Sequence, residues 1–118
     1  MKITERTIIN EVIKVFRRAN VTRMSCQVKG VPDLLIAWEG QPVFLEIKTE
    51  NVKLSKLQKR FLQKHGGAVY QFGKTYSYTS FFPQQDYLPF QSRFDGLLSE
   101  VDGNLKTRLA KSKKWRAV

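Results

Sequence analysis

The sequence is poor in cysteine and in acidic residues, and each shortage narrows the classes of protein to which it can belong. Cys26 is the single cysteine, so no disulfide can form within the chain and a reducing compartment is expected. Only 10 acidic residues stand against 21 basic ones, which gives a net charge of +11. That excess argues against an acidic DNA mimic and indicates a polyanionic partner, nucleic acid before an anionic membrane.

Long apolar segments are also missing. No apolar stretch is long enough to form a membrane-spanning helix. The first residues, "MKITERTIINEV", are amphipathic from the start and lack the apolar centre of a signal peptide. With 118 residues, 42% of them hydrophobic, the chain has the composition of one globular domain. We therefore expect a cytoplasmic protein without a membrane partner.

Hydrophobic periodicity predicts six elements in the first part of the chain. They are a helix from Thr4 to about Ala19, strands at 21–28, 33–38 and 43–49, a helix from Ser55 to the pair Gly66-Gly67, and a strand at 68–72. The letters "EGQP" predict a turn between the second and third strands. This order predicts an α/β or α+β fold in which helices flank a small mixed sheet.

The second part of the chain has weaker patterns. Residues 74–89 are aromatic-rich and contain two prolines, which favours a loop, and 90–101 has the pattern of a short amphipathic helix. From 104 to 118 the chain has no acidic residue, which predicts a basic tail on a single domain of residues 1–103. The alternative is a solvated, disordered end. Basic residues predicted to contact DNA phosphates are Lys106, Arg108, Lys111, Lys113, Lys114 and Arg116.

Aromatic residues are concentrated after Gly73. They would stack on unpaired bases of a nucleic acid, or alternatively close the core or a dimer interface. The residues in question are Tyr76, Tyr78, Phe81, Phe82 and Trp115.

Three of the charged residues in the stretch "GVPDLLIAWEGQPVFLEIKTE", residues 30–50, lie at its structural centre: Asp33, Glu46 and Lys48. Strand alternation in "VFLEIKT" places Glu46 and Lys48 on the same face. If the two strands pair as a hairpin, Asp33 lies beside them. Two adjacent carboxylates repel unless a cation lies between them, and Mg²⁺ prefers oxygen ligands. The alternative is a solvated surface ion pair between Glu46 and Lys48.

The two helices supply further candidates. Glu5 falls at the centre of the apolar arc of the first helix, whereas Glu11 falls outside that arc, among solvated residues. An acid in the first turn also complements the helix dipole, which is the alternative for Glu5. Gln58 lies in the apolar stripe of the second helix, but Ser55-x-x-Gln58 is also a capping box. For His65, near the end of that helix, a structural role is expected.

These residues together resemble a known family. "GVPDLLI", "VFLEIK" and a Gln58 ten residues after Lys48 in "LSKLQKRFLQKHG" are similar to the motifs of the PD-(D/E)XK nuclease superfamily. The similarity is greatest to its VRR-NUC branch, which includes small stand-alone phage proteins. It covers about residues 4–73, the motif-bearing core of the predicted domain. The predicted order of elements is also the restriction-endonuclease-like core of that superfamily.

The resemblance implies a metal site. Asp33 and Glu46 would bind Mg²⁺ or Mn²⁺, together with the backbone carbonyl of Ile47. Glu5 would match the first-helix acid that completes the metal shell, directly or through water.

The resemblance also implies an activity. Lys48 would orient or activate the attacking water, and Gln58 would position the substrate or the nucleophile. The protein would be a metal-dependent, structure-selective DNA endonuclease that leaves 5′-phosphate and 3′-hydroxyl ends. The leading activity is that of a Holliday-junction resolvase, a homodimer acting on branched DNA, in the host cytoplasm if the chain is phage-encoded. A non-catalytic nucleic-acid-binding module, a flap or nicking nuclease and a restriction-type enzyme remain open.

Overall fold

A mixed sheet with helices on both faces forms the molecule. The computed structural model describes residues 3–24, 29–49, 53–73, 77–80 and 88–116, without the side chains of 77–80, 88–91 and 113–116. The elements are α1 (Glu5–Phe16), a 3₁₀ turn (Arg18–Asn20), β1 (Val21–Arg23), β2 (Leu34–Trp38), β3 (Gln41–Lys48), α2 (Lys56–His65), β4 (Gly67–Gln71), β5 (Ser77–Ser80) and α3 (Leu88–Arg116). Strand order is β1-β2-β3-β4-β5, with β3 and β4 parallel and the other pairs antiparallel. The predicted fold class is confirmed.

A tight turn joins β2 to β3. Glu39 and Gly40 both have positive φ, 49° and 78°, the backbone that matches the twist of a two-residue hairpin. The turn is shorter than the four residues predicted, because Gln41 and Pro42 already pair with the end of β2. The guanidinium of Arg93 in α3 binds the Glu39 carboxylate and holds the turn in place.

Alternate residues of the sheet face two different helical layers. Helices α1 and α3 cover the face formed by Val43, Leu45 and Ile47, whereas α2 covers the face of Phe44, whose ring meets Phe61 edge-on at 4.9 Å. The main core lies between the sheet and α1/α3. Its fully buried members include Ile8, Val12, Phe16, Leu34, Ile36, Leu45, Ile47, Tyr70, Phe94, Leu98 and Leu105.

The first helix ends earlier than predicted, at Phe16 instead of about Ala19. Arg17 has a φ of 69°, which ends the helix, and the Asn20 side-chain amide donates to the Phe16 carbonyl at 3.1 Å. The carbonyl at the helix end is thereby satisfied. Of the predicted strand 21–28, the structure describes Val21–Arg23 as β1, and 25–28 lie outside the described residues.

The predicted basic tail is part of a helix. Helix α3 runs unbroken from Leu88 to Arg116, so it contains both the predicted helix 90–101 and the boundary placed at residue 104. Leu105 is fully buried and Leu109 packs against the core. Tertiary packing therefore maintains the helix beyond the point where its local pattern weakens. Within the described part of the chain, no helix has both the length and the apolar character needed to cross a membrane.

The predicted loop 74–89 also contains regular structure. Ser77–Ser80 form β5, which pairs antiparallel with β4. Residues 74–76 and 81–87 lie outside the described residues. Neighbouring β4 is tied to α3 as well, because the Tyr70 hydroxyl donates to the buried Asp102 carboxylate at 2.7 Å.

Truncation of Leu105 tests whether the second half of α3 belongs to the core. Leu105→Ala should lower the free energy of unfolding by about 2–5 kcal/mol, because it leaves a cavity in packed surroundings. Leu57→Ala is the matched control, since Leu57 is 49% exposed, and should cost less than about 1 kcal/mol. Urea unfolding measures both. Equal losses would contradict the packing of α3 described above.

Candidate active site

Asp33 lies immediately before β2, where hydrogen bonds from β3 and from the residue after β1 hold it. Its carboxylate Oδ2 accepts the backbone N–H of Ile47 at 2.9 Å, and its backbone carbonyl accepts from the N–H of Met24 at 2.9 Å. The side chain thus takes the place of a strand partner beside β3. Just before it, Gly30 has φ +89° and packs so tightly on α2 that a Cβ would lie 2.8 Å from the Leu57 Cβ. The start of α2 is therefore held near Asp33.

Glu46 lies in the sheet beside Asp33. At the end of the β2–β3 ladder away from the turn, Leu34 pairs with Leu45. The same register continued by one residue sets Asp33 opposite Glu46 on the α2 face. On its other side Glu46 pairs with Val69 of β4. The Glu46 side chain is only 3% exposed, and its Oε2 has no hydrogen-bond partner among the described residues.

Lys48 is the cation of this site. Its Nζ lies 3.9 Å from Glu46 Oε1, a long contact for an ion pair. Both side chains are largely buried, which corrects the alternative of a solvated surface pair. A single ammonium at this distance compensates the carboxylates only in part.

The carboxylates perturb one another. Burial raises the pKa of Glu46 to about 9; a side-chain hydrogen bond with Asp33 and the Asp33 charge add to the rise, Lys48 opposes it and Glu5 contributes least. Desolvation and the Asp33 carboxylate likewise raise the pKa of Glu5 above its ordinary value. Glu5, at the start of α1, therefore extends toward the same site although its side chain is exposed. The site needs a proton or a cation to be stable.

A divalent cation fits these donors, which are all oxygens. The buried Oε2 of Glu46 offers a carboxylate oxygen beside Asp33. The Ile47 carbonyl points toward the same side as its N–H, which Asp33 binds, because the next carbonyl, that of Lys48, accepts from Phe72 on the opposite side. In the described part of the chain no three His, Cys, Asp or Glu side chains form a closed metal-binding group. Mg²⁺ needs fewer, since it binds one or two carboxylates and keeps several waters.

Gln58 is used in helix capping. Its side-chain Oε1 accepts from the Ser55 N–H at 2.9 Å, and its own N–H donates to the Ser55 hydroxyl at 3.2 Å. Both halves of the capping box predicted as the alternative are thus present. The His65 ring packs against the Phe61 ring at a tilt of 44°, with the ring centroids 4.5 Å apart, in agreement with a structural role.

The predicted DNA contacts whose side chains the structure describes do not lie at this site. Lys106 pairs with Asp102 at 2.8 Å and Arg108 with Glu11 at 3.1 Å, both on α3 and away from the α2 face. Lys111 also lies on α3. The side chains of Lys113, Lys114, Trp115 and Arg116, and the predicted stacking aromatics Tyr76, Tyr78, Phe81 and Phe82, lie outside the described side chains.

Glu11 corrects a sequence-based expectation. The sequence pattern predicts a solvated Glu11, yet its side chain is 3% exposed and accepts hydrogen bonds from Asn104 and Arg108. The apolar arc of α1 alone does not predict this contact, because the partner residue Asn104 lies 93 residues further along the chain.

Sequence reasoning also missed a neighbour of Lys48. Gln71 pairs with Lys48 across the parallel β3–β4 ladder, and its side-chain amide donates to the Thr49 carbonyl at 3.3 Å. The alternation of "AVYQF" indicates which residues share a face but not which strand lies alongside. Only the register brings this amide next to the site.

Comparison of the chain with protein-family models, with curated proteins and with solved structures finds no match. A function for this site therefore has to be inferred from its own residues.

The raised pKa of Glu46 predicts a pH-dependent stability. In metal-free buffer the folded protein retains the Glu46 proton up to about pH 9, whereas the unfolded chain releases it near 4.5. Between these values the unfolded state binds fewer protons, so the free energy of unfolding should fall as pH rises, by at most about 1.4 kcal/mol per pH unit. Glu46→Gln should remove this slope. Urea unfolding with chelator, between about pH 5.5 and 8.5, measures it.

Two controls accompany this measurement. Glu100→Gln, an exposed change on α3, should keep the wild-type slope. Millimolar Mg²⁺ should flatten the slope of the wild type, because a bound cation favours the ionised carboxylate, and should leave the Glu46→Gln variant unchanged. A wild type and a Glu46→Gln variant with identical slopes would contradict the burial and coupling of Glu46.

Proposed function

We propose that this protein is a Mg²⁺-dependent endodeoxyribonuclease of the PD-(D/E)XK type, VRR-NUC branch, that hydrolyses phosphodiester bonds in branched DNA. The observation that carries the proposal is the buried carboxyl of Glu46, which interacts with Asp33 and Lys48 and whose Oε2 has no hydrogen-bond partner among the described residues. A purely structural site would gain more from an apolar residue at Glu46. The proposal includes action on DNA in the cytoplasm.

Asp33 and Glu46 would hold the metal ion, with the Ile47 carbonyl as a further oxygen donor. Bound there, Mg²⁺ or Mn²⁺ supplies Lewis-acid chemistry at the phosphodiester. The Ile47 N–H keeps the Asp33 carboxylate oriented through the bond to Oδ2. Glu46 is buried beside Val69, so little water reaches its carboxylate. The lower local dielectric strengthens the interaction of this carboxylate with a cation.

The remaining residues would act on water and substrate. Lys48 would orient the attacking water and offset negative charge that develops on the phosphoryl oxygens. Glu5, on the exposed side of the site, would contact the metal shell through water. The Gln58 amide nitrogen remains to position substrate, because the capping box uses only the side-chain oxygen. Hydrolysis adds water across the P–O3′ bond, so the oxygen of water stays on the 5′-phosphate and the proton ends on the 3′-hydroxyl.

The main rival is a non-catalytic nucleic-acid-binding module on the same scaffold. The net charge of +11 suits both functions. However, a module that only binds phosphates gains nothing from two adjacent carboxylates, which repel DNA. The acidic cluster beside Lys48 therefore favours catalysis.

Removal of either carboxylate tests the reaction. Asp33→Ala and Glu46→Ala should each lower Mg²⁺-dependent cleavage by more than about 100-fold, since loss of a residue that only supports a metal ligand already costs up to about that much. Binding to labelled junction DNA should persist or tighten, because an acidic side chain is removed from a phosphate site. Glu100→Ala, exposed on α3, is the control and should cleave like the wild type.

Cleavage of plasmid and of a labelled four-way junction, with Mg²⁺ or with chelator, provides the assay. Near wild-type cutting by either variant would show that the proposed site is wrong. Binding without cleavage in the wild type would leave the binding-module alternative.

The finer part of the proposal concerns the substrate. A four-way junction has two-fold symmetry, and its resolution needs two nicks on opposed strands. A C₂ homodimer supplies two identical sites related by the same symmetry. We therefore propose a homodimeric Holliday-junction resolvase, with a flap or nicking nuclease as the alternative.

In solution the protein should be a dimer that nicks four-way junctions in preference to linear duplex in low-salt Mg²⁺ buffer. The preference should weaken as salt screens the phosphate contacts. Light scattering measures the mass at micromolar concentration, and gel assays measure nicks on each substrate. A monomer that cuts duplex and junction equally would leave a general nuclease and contradict the resolvase proposal.

A further inference from the structure

A groove of about 320 Å³ lies between α1 and α3, and the proposed reaction does not use it. On α3 its residues recur at spacings of three and four, so they form one stripe along the helix. The groove is lined by Glu11, Lys14, Asn104, Thr107, Arg108 and Lys111.

A buried carboxylate anchors the groove. Glu11 is 3% exposed; its Oε1 accepts from the Asn104 amide at 2.9 Å and its Oε2 from an Arg108 guanidinium nitrogen at 3.1 Å. Arg108 itself remains 43% exposed, so the guanidinium is held on one side and reaches solvent on the other. A buried ion pair is a poor source of stability compared with apolar packing. What it does provide here is a fixed direction for Arg108.

The charge of the groove is positive. Lys14 and Lys111, both exposed, line it together with Arg108, and the one carboxylate has both oxygens already bonded. Three cations and one acid leave two net positive charges. The Thr107 hydroxyl adds a neutral donor. This combination of a fixed guanidinium, two ammonium groups and a hydroxyl matches a phosphate group.

The lining favours a nucleic-acid backbone over a nucleotide. None of the six described residues around the groove is aromatic, so a base has no ring to stack on. The groove would therefore contact the phosphate and not the base, as in sequence-independent contacts to a DNA strand.

The groove and the candidate active site face different sides of the molecule. Asp33 and Glu46 lie on the face of the sheet that α2 covers, whereas α1 and α3 cover the other face. At about 3.6 residues per turn, Lys14 lies opposite the buried side of α1, formed by Ile8, Val12 and Phe16. Lys14 therefore points away from the sheet.

We infer that the α1–α3 groove binds a phosphodiester of a DNA segment other than the one being cut, a second arm of a branched substrate. This inference rests on the proposed function for its substrate, but it does not depend on cleavage. It also changes the predicted role of Arg108 and Lys111 from contacts of a basic tail to parts of a formed site, with Lys14 as a partner that the sequence did not indicate.

The test compares two double variants that lose the same charge. Lys14→Gln/Lys111→Gln removes the two ammonium groups of the groove, and Arg18→Gln/Lys64→Gln removes two exposed charges outside it. All four changes are on the surface, and thermal melting verifies folding. Fluorescence anisotropy, in chelator so that no DNA is cut, measures binding to a four-way junction and to a linear duplex.

The groove variant should bind the junction at least roughly tenfold more weakly at about 0.1 M salt, and its plot of log Kd against log salt should be shallower by about 2. The groove variant should lose less affinity for the linear duplex than for the junction. The control variant should lose less affinity than the groove variant, and its loss should be about the same on the junction and on the duplex. Equal losses by the two variants, or an equal loss on junction and duplex by the groove variant, would overturn the inference.

A competition experiment distinguishes binding of DNA from binding of free phosphate. Inorganic phosphate should displace the junction no better than chloride at equal ionic strength. Displacement by phosphate in the wild type but not in the groove variant would mean that the groove takes a free anion, and would overturn the assignment to DNA. A wild type that binds junctions through the groove but never cuts in Mg²⁺ would contradict the proposed function and leave this inference standing.

Discussion

The register between β2 and β3 is the constraint on which the candidate site depends. The two-residue turn at Glu39 and Gly40 sets this register, and it ends with Leu34 opposite Leu45. One residue further, Asp33 meets Glu46. A slip of a single residue would move every side chain of one strand to the other face, so the carboxylates would separate and the apolar core would open in the same step. An exposed ion pair from Arg93 to Glu39 connects α3 to this turn.

The same register creates an electrostatic problem within the fold. Glu46 is buried between Asp33 and Val69 with only a distant Lys48 for compensation, and its pKa rises to about 9. Apolar packing around the sheet maintains this arrangement at some loss of stability. A hard cation and a phosphate would complete the charges that the protein leaves uncompensated.

Helix α3 connects the two parts of the proposed function. Its inner face completes the core through Phe94, Leu98 and Leu105. Its flank forms the basic groove with α1, held by the bonds from Asn104 and Arg108 to Glu11. One helix therefore contributes to both the core and the groove, and the bond to Glu11 fixes the direction of Arg108.

By itself the sequence determined the local elements and the identity of the acidic site. Strand alternation placed Glu46 with Lys48, the spacing across the hairpin placed Asp33 beside them, and Ser55 with Gln58 marked the start of α2. These features depend on neighbouring residues, or on strands joined by a short turn. Tertiary structure decided what depends on distant contacts: Glu11 is buried because α3 packs on it, 104–116 is helical because Leu105 enters the core, and Gln71 lies beside Lys48 only through the parallel register. Such contacts leave no local period in a single sequence, because their partners lie tens of residues apart.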